Sequence, residues 1–219
     1  MTISAVGFDL DETLAVPTRD RATILGDAAD IAGAPPLSRE AYLEAHARNL
    51  TGETRTPIFA DLLADHETDT DPEAVASAYR REIADALVPL PGIEAFLDRL
   101  REEYRVGLLT NGPRVAQRDK LGILGWTDTF DAALVTGELD AGKPDPAAFA
   151  ALLDALGTDA AETAYVGDDV EADIAGAADA GLTPIQVLYE GGPEPSSRAA
   201  VHLPRDELVT RLPDLLDEL

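Results

Sequence analysis

Apolar positions along the chain fall into two alternating kinds of run. Ile3 to Phe8 is a short, nearly continuous apolar stretch rich in branched residues, and it stops abruptly at Asp9, Asp11 and Glu12, which predicts a buried strand. The same grammar returns further along. Arg105 to Leu109 ends at Thr110-Asn111-Gly112, Ala132 to Val135 at Thr136-Gly137, and Thr163 to Val166 at Gly167-Asp168-Asp169, while Pro184 to Leu188 precedes a glycine-rich loop. Between these strands the period changes. Ile93, Phe96, Leu97 and Leu100 share one helical face and Phe149, Leu152, Leu153 and Leu156 another, each behind a Gly or Pro start. Strands alternating with helices predict an α/β fold, a doubly wound parallel sheet of five or more strands, in which ligands bind beyond the carboxyl ends of the strands. Polar residues gather at those ends.

The first two strands are separated by about 95 residues, far more than one crossover helix needs, and this stretch reads as helical throughout. One of its helices is well marked, with Asp71 as cap, Pro72 at the first position, and Val75, Tyr79, Ile83 and Leu87 along one face. Proline-bearing crossings bracket the stretch: Ala15-Val16-Pro17 on one side, Val88-Pro89-Leu90-Pro91-Gly92 on the other, suited to two hinge strands. The expected organisation is therefore a Rossmann-like core, residues 1–16 and 90–219, with an inserted helical cap over 17–89.

Composition narrows the function classes. Forty-two acids against 17 Lys and Arg give a formal charge of −25. A simple nucleic-acid binder needs a basic face and is excluded. The 45% apolar content is enough for a folded core. With no cysteine, disulfides, thiolate catalysis and Cys-ligated metals are excluded. No run approaches the roughly 20 apolar residues of a membrane span, and Met1 to Leu10 lacks the basic region of an export signal, so a soluble, cytoplasmic protein is expected. The acids are spread across the helices and do not gather in a tail; with lysine scarce, they fit the surface of a protein from a salt-rich, halophilic cytoplasm.

Four places carry chemistry. Asp9 and Asp11 stand two apart at the end of a strand expected in mid-sheet; alone, such a pair reads equally well as a solvated turn. Thr110 and Asn111 end the second strand where a helix opens, placing a hydroxyl and free backbone N–H groups near a potential phosphate. Lys143, in Gly142-Lys143-Pro144-Asp145-Pro146, is one of only two lysines in a chain with 15 arginines, which suggests a need for a compact ammonium. Gly167-Asp168-Asp169 through Asp173 adds carboxylates to the same rim.

In this order the four motifs resemble the haloacid dehalogenase superfamily over nearly all of residues 1–190, except the insertion, where only length and helical character match that family's first class of cap. The resemblance implies the strand order 5-4-1-2-3. It also implies roles: Asp9 as nucleophile, Asp11 as general acid and base, Thr110 with Asn111 for the phosphoryl oxygens, and Lys143 to offset charge. Mg²⁺ would be held by the Asp9 carboxylate, the Asp11 backbone carbonyl and the Asp168 carboxylate, with Asp173 behind them to orient a metal water or Lys143. An acid at position 11 argues against dehalogenases, which lack one there, and transport ATPases, which carry Thr. The stretch from Leu109-Thr110-Asn111-Gly112 through Gln117-Arg118-Asp119-Lys120 to Gly167-Asp168 and Asp173 is similar to the branch of sugar-phosphate phosphatases such as N-acylneuraminate 9-phosphatases and small 5′-nucleotidases.

The resulting expectation is a Mg²⁺-dependent hydrolase of small phosphorylated metabolites, with no nucleic-acid or membrane partner. A phosphomutase, or a member that only binds phosphate, are the alternatives. A response-regulator receiver fits less well, because its phosphorylated Asp follows the third strand, which here ends at Thr136-Gly137. Arg19, Arg48, Arg55 and His46 are candidates by charge for substrate contact from the cap, while Trp126 and Phe130 read as core.

Overall fold

The computed structural model describes residues 2–219. The chain opens with β1 (Ala5–Phe8) and the short β2 (Ala15–Pro17), then passes through four helices, α1 (Arg21–Ala32), α2 (Arg39–Ala47), α3 (Thr56–Leu63) and α4 (Pro72–Ala86), before β3 (Leu87–Pro89). From there strand and helix alternate: α5 (Ile93–Leu100), β4 (Arg105–Thr110), α6 (Arg114–Leu124), β5 (Ala132–Val135), α7 (Pro146–Leu156), β6 (Thr163–Gly167), α8 (Gly176–Asp179), β7 (Thr183–Leu188), β8 (Val201–Pro204) and α9 (Leu208–Glu218). A six-stranded sheet runs in the order β5-β4-β1-β6-β7-β8, every pairing parallel. The expected order of the first five strands holds, and β8 adds a sixth at one edge. Among the described residues no helix is long and apolar enough to cross a membrane.

Strand alternation sends successive side chains to opposite faces. Val6 and Phe8 join a core with α5, α9, Val106, Leu108 and Val166, where Phe8 meets Phe96 edge-on at 6.5 Å. Ala5, Leu109 and Tyr165 face α7, and Trp126 packs edge-on against Phe130 as core residues. The α7 side is unusually close to the sheet: a Cβ on Gly7 or Gly107 would lie 2.7 Å from a Leu152 methyl. Glycine in β1 and β4 is thus what lets α7 settle there.

The helices α1–α4 gather round a separate apolar cluster that includes Ile24, Tyr42, Phe59, Val75 and Tyr79. Asp71 caps α4 through the Glu73 N–H, as its spacing predicts. This helical unit leaves and rejoins the sheet on an antiparallel ribbon, β2 on β3, with Ala15 opposite Pro89. Because β1 lies between β4 and β6, the carboxyl ends of these three strands open side by side beneath the helices.

Candidate active site

Asp9 follows β1 directly and donates its backbone N–H to the Val166 carbonyl at 2.9 Å, so the centre of the sheet fixes its position. Its carboxylate is buried and accepts from Lys143 Nζ at 2.7 Å. The same ammonium donates to Asp173 at 2.7 Å and to the Tyr165 hydroxyl at 2.8 Å, and Tyr165 in turn donates to the Leu109 carbonyl at 2.8 Å. Lys143 reaches the rim from the loop before α7, and the Asn111 side chain clamps that loop in both directions, donating to the Lys143 carbonyl at 2.8 Å and accepting from its N–H at 2.9 Å. The Asn111 amide is therefore spent on Lys143, and any part it plays toward a phosphoryl group falls to its main chain.

Asp168 directly follows β6 and is held by the Tyr189 hydroxyl at 3.1 Å. Beyond it the chain enters a single π-helical turn, Val170–Ala175, capped by the Asp169 carboxylate. That turn swings Asp173 back so tightly that a Cβ on Gly167 would sit 2.4 Å from its carboxylate carbon. Asp9, Asp168 and Asp173 consequently bring carboxylate oxygens within 4.8 Å of one another. An all-oxygen, acid-rich set of this kind suits a hard divalent cation, and Mg²⁺ fits it. The electrostatics agree: burial, with Asp173 and Asp9 nearby, pushes Asp168 well above its ordinary range. Burial also outweighs Lys143 at Asp9 and lifts it to about 7. A cation would remove those costs. Burial would lower Lys143, but Asp173 and Asp9 hold it well above its usual value and keep it charged.

Asp11 lies in a different electrostatic setting two residues away. Burial would raise it, yet Lys120 at 2.6 Å and Arg21 at 2.9 Å hold it well below the usual carboxylate range. Gln117 from α6 donates both to Asp11 at 3.1 Å and to the Thr110 hydroxyl at 2.6 Å, linking acid and hydroxyl. Lys120, one turn further on α6, is itself lowered to about 8, by burial first and then by Arg55 and Arg21.

These groups line one cleft of about 570 Å³ between the sheet and the helical unit, a size suited to a small metabolite. Of the charged residues singled out on the helices, His46 and Arg55 line it. Arg19 and Arg48 do not: Arg19 ties Asp27 to Glu82, and Arg48 pairs with Asp61 at the surface. Tyr165, Tyr189, Arg21 and Arg39 also belong to the site and are not signalled by local sequence. For Gln117 and Lys120 there was a signal, the three-residue spacing on one helix face directly after Thr110.

A parallel sheet with acids crowded on the rim of its central strands, under a helical unit inserted after the first of them, defines a class of hydrolase. Residues 3–181 match the haloacid dehalogenase-like hydrolases, and the chain belongs to that family. Over 127 residues it is 35% identical to N-acylneuraminate-9-phosphatase of Rattus norvegicus, a match covering 58% of this chain and 51% of that protein. The chain thus spans about half the length of that relative. Phosphoglycolate phosphatase of Cereibacter sphaeroides is 32% identical over 98% of both chains. Among solved structures, a HAD phosphatase from Thermococcus onnurineus superposes with a TM-score of 0.69 over 98% of each chain; at 24% identity that likeness concerns the fold.

Proposed function

We propose that the protein is a Mg²⁺-dependent phosphatase that releases phosphate from a small phosphorylated metabolite through an aspartyl-phosphate on Asp9. The observation that carries this reading is the pairing of Asp9 with Lys143 at 2.7 Å in the middle of a carboxylate rim, with Thr110 and Asp11 on the same cleft. Relatives named for phosphatase activity on phosphorylated small molecules support it.

In the first step a carboxylate oxygen of Asp9 bonds to phosphorus as the bond to the leaving alkoxide oxygen breaks, and Asp11 passes to that oxygen a proton drawn from Lys120, which stands 2.6 Å from it and is lowered to about 8. In the second, Asp11 takes a proton from water and returns it to Lys120. The water oxygen bonds to phosphorus, the acyl phosphate bond breaks, and Asp9 is restored with inorganic phosphate. Lys120, Arg21 and Gln117 fix the Asp11 carboxylate in one place for both tasks. Lys143 keeps Asp9 in line and offsets charge at the reacting centre. Thr110 supplies a hydroxyl to the phosphoryl oxygens. Asp9, the Asp11 carbonyl and Asp168 would hold Mg²⁺, with Asp173 steadying Lys143 behind them. The metal's chemistry would be to neutralise the oxygens that meet there. Residues 17–89 would act as the cap that closes over the substrate and selects it.

The test is phosphate release from a panel of sugar phosphates, phosphoglycolate and nucleoside monophosphates with and without Mg²⁺. Release that depends on Mg²⁺ is expected. Asp9→Asn should lower it by at least about 10³-fold while leaving the circular dichroism spectrum intact; an active, folded variant removes the nucleophile assignment.

A further inference from the structure

Most cations of this acid-rich chain are matched with carboxylates, including Arg21, Lys120 and Lys143 in the cleft. Two are not. Arg39, first residue of α2, and Arg55, just before α3, line the helical wall of the same cleft, and among the described residues neither has a carboxylate partner. Arg55 is only 7% exposed. Its Nε donates to the Tyr42 hydroxyl at 3.1 Å and its guanidinium lies 5.3 Å from the Tyr79 ring centre, so packing fixes the group while its terminal nitrogens keep no protein acceptor. Arg39 sits over the ring of the same Tyr42, 5.1 Å from its centre, and its Nη1 is sealed from solvent without a hydrogen-bond partner.

A buried guanidinium without a counter-ion is costly, and a chain with 42 acids had ample means to supply one. The field these groups create is visible at His46, which stacks on Tyr42 and is lowered to about 3, chiefly by burial and then by Arg55 and Lys120. The opposite wall already holds the groups that suit a phosphoryl oxygen cluster. What the helical wall lacks is an anion, and the ligand is the remaining source.

We propose that Arg55, with Arg39 on the same Tyr42, forms a second anion subsite, so that the preferred substrate is a phosphomonoester carrying another anionic group, a carboxylate or a second phosphate. This rests on the phosphatase reading of the cleft and names the substrate class for it. Planar guanidinium groups bind either anion through paired N–H donors.

Matched substrate pairs differing only in that group test it: 2-phosphoglycolate against 2-hydroxyethyl phosphate, and propane-1,3-diol bisphosphate against the monophosphate. The expected result is a kcat/KM preference of about tenfold or more for the acidic member of at least one pair, carried mainly by KM, and which pair shows it identifies the anion. Arg55→Met should bring that ratio close to one and Arg55→Lys should keep part of it. Arg39→Met, at a half-exposed position on the first turn of α2, should lower the ratio as well. Equal turnover of both members in the unmodified enzyme, or a ratio unmoved by Arg55→Met and Arg39→Met, overturns the subsite while the phosphatase reading stands. Dissociation constants measured on Asp9→Asn for the same pairs read the subsite without turnover. A binding preference lost in Asp9→Asn/Arg39→Met supports the subsite even if no compound releases phosphate, a result that would instead remove the phosphatase reading.

Discussion

Lys143 is shared between two carboxylates, and a third stands close by with no cation of its own. That imbalance has a pH signature. Asp9, which ionises near 3.8 in an unfolded chain, is carried to about 7 when folded, by burial against the opposing pull of Lys143 and with help from Asp173 and Asp11. Between these two values the folded protein binds more protons than the unfolded one, so this group's contribution to stability falls as pH rises. Asp168 acts in the same direction. A divalent cation requires the ionised carboxylates and binds the folded state, so its stabilising effect should grow over the same interval. The upward shift of Tm on adding Mg²⁺ is therefore expected to be larger at about pH 8 than at about pH 5, as read by scanning calorimetry. Equal shifts would mean that the metal is not held by these acids.

At the scale of elements, the approach of α7 to the sheet sets where Lys143 stands, because the loop that carries this lysine leads straight into that helix. Gly107→Ala would place a methyl 2.7 Å from one Leu152 carbon and 3.0 Å from a Leu156 carbon, and α7 must shift to admit it. A loss of about 1–3 kcal/mol in urea unfolding is expected, with reduced activity because the Lys143 loop moves as well. Gly26→Ala in α1 is the control: nothing lies within 4 Å of its added methyl, and it should be neutral or stabilising by up to about 1 kcal/mol. The central strands, α4, α5 and α7 were legible in the sequence because each has a clean apolar period and a marked boundary. β8 was not: Val201, His202, Leu203 and Pro204 make a four-residue edge strand in which alternation has little room to show. Asp9, Asp11, Thr110 and Asp168 were legible as strand-end polar residues, Lys143 by the scarcity of lysine and its place ahead of a helix, and Asp173 as part of the acid-rich run after Gly167. Arg21, Arg39, Tyr165 and Tyr189 were not, since the fold alone brings the two arginines to the cleft and the two tyrosines against Lys143 and Asp168, and no spacing along the chain announces a meeting between α1, α2, β6 and the loop after β7. The rim order could be read locally; of the wall that faces it, charge alone picked out Arg55 and His46 together with Arg19 and Arg48, which lie elsewhere.

For the whole molecule, charge is the dominant fact. A formal −25 on 219 residues lies mostly on surface helices, where ion pairs such as Arg198 with Asp179 and Arg114 with Glu53 engage only part of it. Unpaired like charges repel over about a Debye length, roughly 10 Å at 0.1 M salt and 3 Å at 1 M. Tm should therefore climb as KCl is raised from low to molar concentration, and a flat or falling curve would show that the acid excess is not a source of strain. The contrast between an acidic exterior and the unmatched arginines within the cleft also implies that an anionic substrate meets repulsion until it is inside.

The β2–β3 ribbon bears on how such a protein can change over time. Its two strands lie side by side with Ala15 opposite Pro89, so the helices between them begin and end at neighbouring points. In wiring they amount to an elaborate loop. Their length and surface can be rewritten without disturbing a single pairing of the six-stranded sheet, whose rim carries the acids. On the proposed function, chemistry and selectivity would sit on separately inheritable parts: the floor could stay constant across a lineage while the roof is exchanged to admit a different molecule.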